Sequence, residues 1–199
     1  MQTLMAGLDI STTTVGLSLI LIEDNIIKEI ESQYYKPNKE LDDVMMILNT
    51  KNFIMSKIEE AEKKYSLIPM ICVEDILLTT NRTTPRTITI LSAINRVLCV
   101  AAYEKYNNIN LLPVQTVRAT LRKEAGLEGR LEKENVPDAL ELIMKKHIKN
   151  WKFNWELGKR GKKMVENYDR ADAIGIALAV AYKNKILLET VKNAKKRSV

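Results

Sequence analysis

The sequence predicts an α/β protein built on a mixed five-stranded sheet flanked by helices. Three observations carry this. The first 34 residues fall into three extended runs joined by short polar links, the pattern of an antiparallel meander. From residue 40 onward, helical apolar spacing alternates with short apolar runs, as when helices cross back over a sheet. The run from Ile68 to Val73 is apolar without interruption, as in a strand covered on both faces.

The elements follow in order. Residues 3–10 and 14–22 are the first two strands, and in the second Val15, Leu17 and Leu19 alternate with small or polar neighbours. Glu23-Asp24-Asn25 is a turn signal, and 26–34 forms the third strand. The spacing of Leu41, Val44, Met45, Leu48, Phe53, Ile54, Ile58 and Ala61 predicts a helix over 40–65. The strand 68–73 ends in Glu74-Asp75, and the polar loop TTNRTTPR leads to a helix over 86–106. A short strand at 110–114, helices at 115–125 and 133–149, and a final helix at 169–188 complete the chain. No repeat or low-complexity linker divides it. The expectation is one domain, 1–199, with a basic segment at 145–163 and a basic tail at 192–199. The RNase H-like fold has this element order.

Hydrophobic content of 46% and charged content of 28% suit a soluble globular domain. The net charge of +6 permits a polyanionic partner. Its distribution is more informative, because KKHIKNWKFNWELGKRGKK holds eight Lys or Arg against one acid, Glu156. The two cysteines, Cys72 and Cys99, lie in apolar stretches, so reduced buried thiols in a cytoplasmic protein are expected. A zinc site is not, with two scattered cysteines and one histidine. No signal-peptide pattern and no bilayer-length apolar run are read from the sequence, and an intracellular protein is expected.

The acids carry the chemistry. In GLDISTTTVGLSLI the first strand ends on Asp9, and a charge at the end of a buried strand is costly without a partner. Glu74 ends the fourth strand. If those strands are parallel neighbours, both carboxylates emerge at the same sheet edge. In ENYDRADAIGIALA, Asp169 and Asp172 are three residues apart and share one helical face in the first turn of the final helix. Ile174, Ala177, Leu178 and Ala181 face the sheet. Carboxylates packed together repel and raise one another's pKa, a conflict that a divalent cation removes. Mg²⁺ takes oxygen ligands, and a pair of such ions serves phosphodiester cleavage. Taken singly, each acid has a plainer reading: Asp169 as a helix N-cap with Asp172 completing the cap, Glu74 as a strand-end acid. The joint pattern favours a site. Asp75 is left out, since successive strand residues face opposite ways.

GLDISTTTVGLSLI, ICVEDILL and YDRADAIGIALA resemble the three acidic motifs of the RuvC-like Holliday junction resolvases, members of the RNase H-like and retroviral integrase superfamily. PVQTVRATLRKEAG and LEKENV sit where that family has a short helix and a lysine-bearing segment. The resemblance spans residues 4 to 183. It implies Asp9, Glu74, Asp169 and Asp172 as catalytic metal ligands, for two Mg²⁺ ions with Mn²⁺ as substitute. It places Arg118 and Lys133 at basic positions facing DNA, and it implies a homodimer. The implied reaction is metal-dependent hydrolysis of branched DNA, four-way junctions above all, to 5′-phosphate and 3′-hydroxyl ends. The chain departs from the family at Ile10-Ser11, where a glycine turn is usual, at Leu77 in place of a stacking aromatic, and in WKFNW.

Two other readings stay open. DISTTTVG comes close to the first phosphate loop of the actin, sugar-kinase and Hsp70 superfamily, but seven glycines and no later glycine-rich turn argue against it. A YqgF-type nuclease acting on RNA is the nearer alternative; a non-catalytic binder is disfavoured by four intact acids. For DNA contact the candidates are Arg82 and Arg86, in the loop with Asn81, Thr83 and Thr84, and Lys159, Arg160, Lys162 and Lys163. Trp151, Phe153 and Trp155 alternate as in an extended piece, with packing on the protein or on a second copy favoured over base stacking. The helix 86–106, through Ile88, Leu91, Ile94, Val97, Leu98 and Ala101, is the candidate dimer face, with ordinary core packing as its rival.

Overall fold

A computed structural model describes residues 1–75 and 84–188. The strands are β1 (Gln2–Ile10), β2 (Val15–Glu23), β3 (Ile26–Tyr35), β4 (Met70–Asp75) and β5 (Ile109–Pro113). The helices are α1 (Asp43–Tyr65), α2 (Pro85–Tyr106), α3 (Val114–Ala125), α4 (Val136–Met144) and α5 (Glu166–Lys183). The sheet runs β3-β2-β1-β4-β5. β1, β2 and β3 form the expected antiparallel meander, while β4 and β5 add in parallel beyond β1. This is the RNase H-like arrangement.

Because β1 lies in the middle, both its faces are covered. Leu4, Ala6 and Leu8 face one core with Ile54 and Ile58 of α1 and Ile94 and Leu98 of α2. Met5 faces the other, with Cys72 of β4, Leu121 of α3, Leu140 of α4 and most of α5. Two-sided burial is the physical reason the strand reads as a continuous apolar run.

Two glycines set how closely α5 lies on this sheet. A Cβ built on Gly7 would stand 2.1 Å from the Ala173 carbonyl oxygen, and one on Gly16 2.1 Å from that of Asp169. Ser18 uses the same approach, donating its hydroxyl to the Ala173 carbonyl at 2.9 Å. The helix backbone rests against the sheet where side chains would otherwise hold it off.

Helix limits show what the apolar pattern could not. α1 is capped by Asp42, whose Oδ1 accepts from the Met45 N–H at 2.9 Å, and Val44 and Met45 of its first turn and Leu48 of its second are exposed rather than core. α2 starts one residue earlier than expected, with Pro85 in its first turn and the Thr84 side chain capping Thr87. It is long and apolar enough by composition to cross a membrane, contrary to the sequence reading, yet it packs on α1 and the sheet. The expected helix 133–149 is a short 3₁₀ turn, Lys133–Asn135, followed by α4, which ends at Met144. α5 begins at Glu166, three residues before the expected start, and closes at Lys183.

The segment after α4 is a strap over the sheet. Phe153 is buried, and it stacks edge-on with Trp151 at 6.4 Å and Trp155 at 5.1 Å, while Trp155 meets Tyr168 at 5.8 Å. The aromatic side of the alternation therefore packs on the protein itself. Arg170, buried within α5, ties the strap down. Its Nη1 donates to the Asn154 carbonyl at 3.2 Å and to Glu156 Oε1 at 2.9 Å, and its Nη2 donates to Ser32 Oγ at 3.1 Å. Asn167 adds two bonds, accepting from the Glu156 N–H and donating to the Glu156 carbonyl.

Candidate functional site

The parallel register of β1 and β4 pairs Leu8 with Val73, so Asp9 lies beside Glu74 at the carboxyl edge of the sheet. In adjacent parallel strands, residues in register point to the same face. Both therefore face the α5 side, with Met5 and Cys72 behind them. Asp75 takes the other face, where its charge acts on Cys99 of α2. α5 then supplies Asp169 and Asp172 against the same edge.

Asp169 is not the N-cap of this helix. That place belongs to Val165, which makes no side-chain cap bond, and the Asp169 carboxylate is engaged elsewhere. Lys133 Nζ donates to Asp169 Oδ1 at 2.7 Å and stands 3.3 Å from Asp172 Oδ2 and 4.0 Å from Asp9 Oδ2. Lys133, expected at a basic position facing DNA, points into the acids. The Lys133–Asn135 turn sets it there, immediately before α4. α5 is buried nearly all round, between the sheet and α3–α4, so Asp172 sits among apolar neighbours rather than on a solvent face.

Burial and mutual repulsion show in the titration of the group. Asp9 is pushed well above the usual carboxylate range, first by burial, then by the Asp172 charge, with Lys133 opposing. Burial and Asp172 lift Glu74 to about 7, against the pull of Arg118 and Lys133. Asp172 is raised by burial, with Lys133 and Arg118 working the other way. Burial by itself lowers Lys133, but Asp9, Asp172 and Asp169 outweigh it and hold the ammonium charged. One lysine leaves the cluster short of positive charge.

The donor set tests well for a hard cation in kind, since every group is a carboxylate oxygen. It is not gathered for one: among the described residues no three acid, histidine or cysteine side chains stand where an ion could be held. The Lys133 ammonium stands among the acids in its stead.

The hydroxyl run after Asp9 closes a turn. Ser11 Oγ accepts from the Thr14 N–H at 3.0 Å and donates to the Thr14 carbonyl at 2.7 Å, using its capacity within the β1–β2 link. Arg118 lines a groove beside Glu74. Arg86 stands at the start of α2, ion-paired with Asp43 at 3.0 Å. Lys159, Arg160, Lys162 and Lys163 are exposed on a small loop of the strap, pinned by the Leu157–Lys163 bridge. Lys163 Nζ lies 3.5 Å over the Trp155 ring. Leu77, Asn81, Arg82, Thr83 and the tail 192–199 fall outside the described residues. In α2, Ile94 and Leu98 are core, while Ile88, Leu91, Val97 and Ala101 are partly exposed.

Sequence reasoning missed Gly7, Gly16, Ser18 and Arg170, which position α5. The two glycines flank Asp9 within one motif, and Gly7 lies opposite Ser18 across the hairpin; glycine inside a strand is the signal of a close backbone approach.

No protein-family model matches the chain, and no curated protein matches it. Among solved structures, Thermus thermophilus RuvC aligns over 92% of this chain and 96% of its own, with a TM-score of 0.62 and 15% identity. The same enzyme in complex with a Holliday junction substrate aligns with a TM-score of 0.62 and 14% identity. The yeast mitochondrial Holliday junction resolvase aligns over 92% of this chain and 82% of its own, with a TM-score of 0.54 and 13% identity. These likenesses establish a shared RNase H-like fold over nearly the whole chain.

Proposed function

We propose that the chain is a divalent-metal-dependent endodeoxyribonuclease that cuts branched DNA, four-way junctions foremost, as a homodimer. The observation that carries this reading is the convergence of Asp9, Glu74, Asp169 and Asp172 on one edge of a sheet shared with junction resolvases. On this reading, these four residues would hold the cation, preferably Mg²⁺, once drawn together around it. A divalent cation supplies, when bound, stabilisation of the charge that develops on a phosphodiester undergoing hydrolysis. Gly7 and Gly16 keep α5 close enough for its two aspartates to share the site with β1 and β4. Lys133 holds Asp169 in place and compensates the acids while no cation is present. Arg86 and the loop carrying Lys159, Arg160, Lys162 and Lys163 contact phosphates and orient the substrate without reading bases.

Resolving a junction requires two opposed cuts, and the described residues of each chain hold one acid cluster, which is the reason for a two-fold pair. The test is incubation with labelled four-way junction, flap and linear duplex DNA, with and without Mg²⁺. Mg²⁺-dependent cutting of branched substrates supports the proposal. Cutting of RNA alone points to the YqgF-type activity, and ATP turnover without cutting to the kinase-like one.

A further inference from the structure

Between α3, the segment leading to Lys133 and the carboxyl edge of the sheet runs a groove of about 660 Å³ with Glu74 at one end. Val114, Arg118 and Arg122 are spaced four residues apart and form one stripe along α3 facing it. Leu91 of α2 and Leu131 supply apolar wall on the other sides. The mixture is unlike a packed core and unlike a solvated face: an apolar surface large enough for a flat ring, edged by cations.

The cations are not fully compensated. Arg118 is half-buried, and its Nε is shut off from solvent with no hydrogen-bond partner among the described residues. Arg122 donates Nη1 to the Gly129 carbonyl at 2.8 Å, a neutral acceptor that leaves its charge unmatched. Arg130 is matched, by Glu132 at 3.2 Å. Glu74 is the acid at the groove, and it is the group the proposed cation would neutralise. The complementary ligand carries a phosphate and a flat apolar body. Its volume fits a small ligand, within roughly 300–1,000 Å³, and not a duplex.

We infer that this groove takes one unpaired nucleotide of a DNA strand, its phosphate on Arg118 and Arg122 and its base against Leu91, Val114 and Leu131. The base must be unpaired, because a base within a duplex presents no free face to a concave site. The crossing point of branched DNA can supply such a nucleotide, adjoining the phosphate held at the carboxylates. The inference rests on the nuclease reading only for the identity of the polymer; the binding itself needs neither metal nor cleavage.

The experiment is a fluorescence titration in EDTA with a short oligothymidylate carrying one fluorescent purine analogue, at several salt concentrations. Wild-type protein should bind it and quench the analogue. Arg118→Gln with Arg122→Gln should weaken binding about tenfold or more and lower the salt slope by about 0.7 for each arginine. Ala119→Trp leaves charge unchanged and fills the groove from an exposed position on α3, so it should abolish quenching even if the arginine variant unfolds. Lys51→Gln, on α1 and outside the groove, should leave both the salt slope and the quench intact. Wild-type binding and quenching by both groove variants overturns the inference, as does a mononucleotide binding as tightly as the oligomer. Junction cutting that persists under that result leaves the nuclease reading standing, whereas groove-dependent binding without any cutting overturns the nuclease reading alone.

Discussion

Replacing Gly16 by alanine tests whether close approach of α5 is what assembles the carboxylates. The new Cβ would meet the Asp169 carbonyl oxygen at 2.1 Å and its carbonyl carbon at 2.6 Å. Both are backbone atoms, so no side chain can swing aside; α5 must retreat by roughly 1.3 Å or more to reach ordinary contact. Overpacking of this kind costs about 1–3 kcal/mol, and a contact with helix backbone belongs at the upper end. In a domain of this size that lowers Tm by roughly 6–12 °C. The same retreat displaces Asp169, the residue in contact, from Asp9 and Glu74. A misplacement of about 1 Å at a reacting centre costs about a hundredfold in rate.

The assay is thermal unfolding by circular dichroism beside Mg²⁺-dependent junction cleavage, measured well below the variant's Tm so that folded protein is compared with folded protein. Gly129→Ala is the control: its left-handed φ of +73° makes the substitution strained, but a Cβ there meets nothing within 4 Å. It should lower Tm and spare the cleavage rate. A Gly16→Ala protein with wild-type Tm refutes the packing argument. One that is destabilised but cleaves at the wild-type rate when folded refutes the positioning argument and leaves the packing.

Asp9→Asn keeps the side chain's shape and removes a buried charge that the protein holds at a cost, so metal-dependent cutting should disappear while Tm in EDTA holds or rises; retained cleavage rules out Asp9 as a ligand. Glu74, lifted from 4.5 to about 7, binds its proton more tightly in the folded chain than in the unfolded one. Stability in EDTA should therefore be fullest below pH 4.5 as far as this group is concerned, and fall as pH rises to about 7, by up to about 3 kcal/mol. Denaturant titrations at pH 5 and pH 8 measure this; Glu74→Gln should flatten the difference, and an unchanged difference shows the cause lies elsewhere. Neutralising Lys159, Arg160, Lys162 and Lys163 together should weaken junction binding and reduce its salt slope by about one per lost phosphate contact; an unaltered slope assigns the loop another role. Sedimentation with and without junction DNA should find a dimer, and a strictly monomeric protein that still makes paired cuts contradicts the two-fold arrangement.

The fold was legible because strand periodicity and two-sided burial are local signals. β1 through β3 announce themselves in the alternation of Val15, Leu17 and Leu19 and in the Glu23-Asp24-Asn25 link, and the structure keeps each within a residue or two of its expected limits. Helix ends were less legible where a cap is made by tertiary contact. α5 begins at Glu166 because Asn167 and Arg170 bind the strap, a long-range arrangement with no signature in the local spacing. What the spacing of α5 did not show is that α3 and α4 also pack on it, so that the helix is buried nearly all round.

Of the site, the elements that bring Asp9, Glu74, Asp169 and Asp172 to one edge could be read from motif order and strand ends. The place of Lys133 could not, because a lysine in an irregular stretch has no periodicity to orient it. Its position follows from electrostatics instead. Asp9, Asp172 and Asp169 are close enough to repel, and the first two lie largely out of water, so a cation among them or a proton on one of them relieves the folded chain. Lys133 reaches three of the four, and Glu74, the one it does not contact, rises to about 7. A cation bound by all four would remove the need for both adjustments. On the proposed reading, a bound cation would therefore have to displace the proton from Glu74 and the Lys133 ammonium from Asp169.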